Sequence, residues 1–97
     1  MEPLDIRPAQ QSGDLLKAIG ETLRAERTER GLTLREVSEG AHVSVSYLAE
    51  IERGEKDPSS RVLESIAGGL DMETNVLLIR IATALEPVQT PVVSVAA

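Results

Sequence analysis

At 97 residues the chain has room for one small domain and little more. Hydrophobic residues make up 41% and charged residues 27%, too apolar for disorder throughout, and the absence of Cys excludes a disulfide scaffold, thiol catalysis and the common structural zinc sites. Ten Lys and Arg against sixteen Asp and Glu leave a net charge of -6, which on its face argues against a phosphate-rich partner.

Residues 1–13 carry Pro3, Pro8 and Gly13 with no sustained period and read as an extended arm, with the domain expected over 14–86. From Asp14, read as a cap, Leu15, Ile19 and Leu23 recur at helical spacing, and this first helix ends at Gly31 after Arg27 and Arg30, which suit the negative end of the helix dipole. Thr33 followed three residues later by Glu36 is a capping box, so a second, short helix runs from there through Val37 to about Gly40. Ala41, His42 and Val43 make a tight connection, and Ser44 caps a third helix from Val45 to Arg53, broken by Gly54. Its Leu48 and Ile51 face inward and leave Val45, Ser46, Ala49 and Glu50 outside.

After a polar turn at Glu55 to Pro58, a fourth helix begins at Ser59 or Ser60 and buries Val62, Leu63, Ile66, Ala67 and Leu70, with Gly68 and Gly69 weakening its end. A fifth runs from about Glu73 to Leu85 and is apolar on more than one face, so it is expected to be buried nearly all round until Pro87 stops the chain's helices. The uncharged segment 87–97 contains Pro91 and reads as an extended tail or weak edge strand. With Tyr47 as the sole aromatic, the core must be Leu, Ile, Val and Ala. No apolar run reaches the roughly 18 residues that cross a bilayer, and residues 1–14 lack the apolar centre of a signal peptide. A cytoplasmic protein with no membrane partner is therefore expected.

Two short helices joined by a three-to-four-residue turn form a helix-turn-helix, placed here at about 34–53, whose second helix can enter the major groove of DNA. Val37, Ala41, Val43, Leu48 and Ile51 are the positions that lock two crossed helices, and Ser38 is small where they meet. The run Val43, Ser44, Val45, Ser46, Tyr47, Leu48 followed by Ile51, Glu52, Arg53, Gly54 resembles the most specific stretch of the Cro/C1-type (XRE) helix-turn-helix family of bacterial and phage regulators, and the likeness covers roughly Ile19 to Leu85. Within that family, Thr33 to Ser38, Tyr47 to Gly54 and Ser59 with Ser60 are similar to actinobacterial regulators of Clp protease genes. The resemblance implies an all-α, five-helix, lambda-repressor-like domain that binds a double-stranded DNA operator as a homodimer and regulates transcription, with Clp protease genes as targets.

On that resemblance, Val45, Ser46, Ala49 and Glu50 are the candidates for base contacts. Val45 and Ala49 suit a thymine methyl, Ser46 several bases, and Glu50 a cytosine amino group. Thr33, Arg35, Ser44, Tyr47, Arg53, Lys56 and Arg61 are the candidates for phosphate contacts. Arg27 and Glu52 occupy positions that commonly form a buried ion pair in the family, and both are read as structural. Two departures stand out: Leu34 replaces a frequent DNA-touching Gln, which shrinks the base-reading footprint, and His42 replaces a turn Gly and must take positive φ.

Plainer alternatives stay open beside these assignments. His42 is then only a backbone choice, Tyr47 half-buried filler, Glu50 a solvated charge that repels wrong DNA, and Arg53, Lys56 and Arg61 surface charges interleaved with Glu55 and Asp57. The fifth helix is either a closing helix covered by the tail or a two-fold interface of Val76, Leu78, Ile79, Ile81 and Leu85, the latter preferred because its apolar excess is too broad for one small core. Val95, Ala96 and Ala97 resemble small apolar C-termini recognised by Clp-type proteases, which makes Clp protease a candidate partner of the tail.

No enzyme is expected: one turn His, no phosphate-cradling glycine loop, no metal-ligand spacing and hence no cofactor. The rival to a DNA-binding regulator is an antitoxin or adaptor whose main partner is another protein. By segment the charge is -2 over 1–14, +1 over 15–30, -2 over 31–61 and -3 over 62–97. DNA binding by such a chain should be weak on random sequence, sensitive to salt and dependent on two subunits.

Overall fold

The computed structural model describes residues 12–85, with side-chain surroundings from Asp14 onward. Five helices follow in order: α1 (Ser12–Glu29), α2 (Leu34–Ala41), α3 (Val45–Glu52), α4 (Ser60–Gly69) and α5 (Thr74–Leu85). Among the described residues there is no strand, so the expected all-α, five-helix class holds. The arm, apart from residues 12 and 13, and the tail with its Val95 to Ala97 motif lie outside the described residues.

Local chemistry explains where the helices begin and end. The Thr33 hydroxyl accepts from the Glu36 N–H at 3.0 Å and the Glu36 carboxylate accepts from the Thr33 N–H at 2.8 Å, closing the capping box that starts α2. Ser44 and Ser59 accept from the N–H groups of Tyr47 and Val62 and so start α3 and α4. His42 ends α2 in the left-handed region, φ 59° and ψ 43°, as its place in the turn required. Asp71 makes the same backbone turn after α4, φ 60°, a use of Asp that its sequence neighbours do not announce.

Boundaries differ from expectation by a residue or two. α1 begins at Ser12, so Asp14 lies in its first turn rather than at the cap, where a carboxylate still favours the positive end of the dipole. α2 continues to Ala41, and α5 starts at Thr74.

Apolar side chains from every helix meet in one core: Ile19 and Leu23 of α1, Val37 and Ala41 of α2, Leu48 and Ile51 of α3, Ile66 and Ala67 of α4, Leu77 and Ile81 of α5. Leu70, just past α4, completes it, while Val62 and Leu63 are only partly buried against it. Helix α2 lies mainly on α4, and α1 runs between α3 and α5. Gly69 belongs to the packing: a Cβ there would stand 2.9 Å from the Val37 carbonyl oxygen, so the α2 and α4 backbones touch where the sequence had suggested only a frayed end.

The fifth helix is buried in the domain on one side only. Only Leu77 and Ile81 are buried in the domain, while Leu78 is 48% and Ile79 62% exposed. Its apolar excess therefore faces outward.

A charged cluster fastens α5 to α1. Buried Glu26 receives Arg80 Nη1 on both carboxylate oxygens at 2.9 Å and Arg30 Nη1 on Oε1 at 2.7 Å. Burial alone raises the Glu26 carboxyl, but the hydrogen bonds and charges of the two arginines outweigh it and hold it below the ordinary 4.5. A folded-state value below the unfolded one means that the stabilisation is complete above the unfolded value and is lost as pH falls through the folded one. Glu26→Gln is accordingly expected to be less stable at neutral pH and to lose less on acidification below about pH 4.5. Urea unfolding of both proteins against pH checks this, and parallel profiles would contradict it.

Candidate nucleic-acid interface

Helices α2 and α3 cross through a short turn, with Val37, Ser38, Ala41, Leu48 and Ile51 buried between them and the core. Ser38 is small enough for the crossing and turns its hydroxyl back to the Arg35 carbonyl at 2.9 Å, so no polar group is stranded there. The angle of α3 is fixed from its other end by an ion pair. Arg27 of α1 donates from Nε to Glu52 Oε2 at 2.7 Å and from Nη2 to Oε1 at 3.0 Å, and its Nη1 donates to the Leu32 carbonyl at 2.9 Å. The two side chains are 14% and 7% exposed. This hydrogen bonding, more than the opposing desolvation, holds the Arg27 guanidinium above its ordinary value. Arg27 and Glu52 are thus brought together as a structural pair.

With one face of α3 so held, the other is presented outward. Ser46 is exposed, and Val45, Ala49 and Glu50 are half-buried along the same side. Ser44 is exposed at the cap, while Tyr47 is half-buried and packs against the core. Thr33 is occupied locally: besides accepting from Glu36, its hydroxyl lies 3.3 Å from the Glu36 carboxylate. Ser44 accepts one N–H and keeps a proton to donate.

Arg35, Lys56 and Arg61 are exposed, with no ion pair among the described residues. Arg53 differs: its Nε and Nη2 meet Glu55 Oε2 and Oε1, both at 3.0 Å, on the protein surface. That hydrogen bond raises the arginine and lowers the glutamate. Between α1, α2 and α3 lies an open concavity of about 250 Å³ lined by Arg24, Arg27, Leu34, Ala49, Glu52 and Arg53. Leu34 and Ala49 form its apolar part, next to the outer face of α3.

Of the five residues expected at a two-fold interface, Leu78 and Ile79 are exposed and Val76 and Leu85 half-buried. Ile81 must be withdrawn from that set, because at 4% exposure it is part of the domain's own core beside Leu77. Three features of the structure escaped the sequence. Glu26 with Arg80 spans 54 residues, beyond any local pattern. The occupation of Arg53 by Glu55 was visible only as an interleaving of charges. Arg24 sits on α1, outside the helix-turn-helix window, and no motif there marks it. Among the described residues no cluster of His, Asp and Glu is arranged to hold a metal ion.

Residues 23–77 match the helix-turn-helix family model. The transcriptional regulator ClgR of Mycobacterium tuberculosis is 49% identical over 63 residues, 65% of this chain and 56% of that protein, so the chain spans little more than half the length of this relative. The immunity repressor protein of Bacillus phage phi105 is 40% identical over 60 residues, 62% of this chain and 42% of that protein. The crystal structure of the clp gene regulator ClgR from Corynebacterium glutamicum is similar at 38% identity and a TM-score of 0.71, with 80% of each chain covered. An α2–α3 crossing closed over small Ser38, an α3 pinned by Arg27, and a matching model across the whole of that unit place the chain in the Cro/C1-type helix-turn-helix family.

Proposed function

We propose that this chain is a non-catalytic, sequence-specific DNA-binding regulator of transcription that acts as a homodimer in the cytoplasm. One observation carries it: α3 is locked to α1 by Arg27 and Glu52 while its opposite face, with Val45, Ser46, Ala49 and Glu50, is left open at the edge of a basic concavity. That is the arrangement in which a helix can enter the major groove. Thr33, Arg35, Ser44, Tyr47, Arg53, Lys56 and Arg61 then flank it as backbone contacts. Similarity to the ClgR proteins, one of them described as a clp gene regulator, supports Clp protease genes as targets. No described helix is long and apolar enough to cross a membrane, consistent with the proposed location. The tail's contact with Clp protease falls outside the described residues and forms no part of the proposal.

Selection of duplexes from a random pool by the full chain tests the proposal. Enrichment of two related half-sites separated by about one helical turn or a multiple is expected. Enrichment of no pattern at low salt would overturn DNA reading and favour a protein partner instead.

The dimer rests on the outward apolar side of α5, with Ile79 at its most exposed point. A buried aliphatic side chain contributes about 1.5–3 kcal/mol, and a two-fold interface contains it twice. Ile79→Asp is expected to raise the dimer dissociation constant by roughly two orders of magnitude or more, with the unfolding midpoint of the monomer unchanged. Sedimentation equilibrium decides; a variant that still dimerises like the wild type removes α5 from the interface.

A further inference from the structure

The concavity between α1, α2 and α3 contains a charge arrangement unlike the rest of this acidic chain. Three of its six lining residues are arginines and one is a carboxylate. Arg27 is spent on Glu52, so the two charges of that pair cancel. Arg24 and Arg53 remain, the first contributed by α1 and the second by the C-cap of α3. Arg24 is exposed and has no side-chain hydrogen bond or ion pair among the described residues. Arg53 is held through two N–H groups by the Glu55 carboxylate, the planar two-oxygen geometry that a phosphodiester also offers.

Resting on the DNA-binding function proposed above, we infer that this concavity takes one backbone phosphate of each operator half-site between Arg24 and Arg53, and that Glu55 competes with that phosphate for Arg53. Arg24 thereby joins the binding residues from a helix outside the helix-turn-helix. Leu34 and Ala49 supply the apolar part of the lining. Glu55 acts as an internal counter-anion: it must release Arg53 before the phosphate is gripped from both sides, which lowers affinity for every sequence alike. Only a duplex that also satisfies α3 recovers that cost.

The test uses the full chain and the duplex it enriches from a random pool, with binding followed by fluorescence anisotropy across a salt series. The wild-type slope of log affinity against log salt measures the phosphates neutralised, at about 0.9 for each. Arg24→Gln is expected to weaken binding about tenfold and to flatten the slope by about one for each half-site, while Arg24→Lys keeps the slope. Unchanged thermal midpoints exclude a folding effect for this exposed residue. Glu55→Gln is expected to tighten binding to both the enriched and a random-sequence duplex by about the same three- to tenfold, leaving the ratio between them unchanged. An Arg24→Gln slope equal to the wild type's, with binding retained, overturns the inference alone. Glu55→Gln with unaltered affinity overturns the competition. If the wild type binds no duplex, the DNA-binding proposal falls and this one with it.

Discussion

Replacing Glu52 by Gln is expected to cost about 3 kcal/mol of stability and to lower the thermal midpoint by roughly 15 °C. The carboxylate accepts two parallel N–H bonds from Arg27 at 2.7 and 3.0 Å, with both side chains largely out of water. A Gln amide offers one acceptor oxygen and turns its NH₂ toward a group that has only donors. One hydrogen bond is lost, a donor meets a donor, and the guanidinium charge is left without its partner in a site that water barely reaches. The pair itself need not be worth this much, because burying two charges offsets most of their attraction. The double replacement Arg27→Met with Glu52→Leu should therefore recover most of the loss, and denaturant unfolding of the three variants checks both statements. A loss below about 1 kcal/mol for Glu52→Gln would mean that the pair behaves as a surface ion pair and does not hold α3.

The second large effect lies two turns earlier on α1, at the same joint with α3. Gly20→Ala would normally strengthen a helix by about 1 kcal/mol. Here a Cβ would stand 2.4 Å from the Glu52 carbonyl oxygen, 2.7 Å from that of Ile51 and 2.9 Å from the Glu52 carbonyl carbon. All three are backbone atoms, so no side chain can swing aside and α1 must back away from the end of α3. Net destabilisation of about 2 kcal/mol or more is expected. Displacement of α3 also moves Ser46, Ala49 and Glu50, so operator affinity should fall even where the variant is folded. Gly68→Ala is the control: nothing lies within 4 Å of a Cβ there, and the substitution should be neutral or slightly stabilising. Equal midpoints for the two alanine variants would contradict the close approach.

The parts of the structure that could be read from the chain are those governed by neighbours in sequence. Thr33 with Glu36 and Ser44 each follow from chemistry within four residues, so the starts of α2 and α3 were predictable, while the positive φ of His42 came from family likeness. The pairing of Arg27 with Glu52 bridges 25 residues and came only from family likeness. Glu26 with Arg80, the Gly69 contact with α2 and the use of Gly20 against α3 depend on how helices are set in space, which no local pattern encodes. For α5 the sequence left two covers open, its own tail or a second copy. An all-round apolar helix must be covered by something, but its own domain covers only the Leu77 and Ile81 side, and a second copy is the cover proposed above for the rest.

Function follows from how rigidly one face of α3 is fixed so that the other can be aimed. α1 supplies the Gly20 groove, the Arg27 clasp and the Arg24 charge, so the helix outside the recognition unit sets both its angle and part of its electrostatics. Glu50 is the one candidate base contact that carries a charge, and it suits a cytosine amino group. Selection from a random duplex pool with the wild type and with Glu50→Ala, run side by side, would show whether that face reads DNA. The enriched half-site is expected to lose its preference at one base pair and to keep the others, at a cost of about 1–3 kcal/mol on the wild-type sequence. An identical half-site enriched by both proteins, with equal affinity, would contradict base reading by this face of α3.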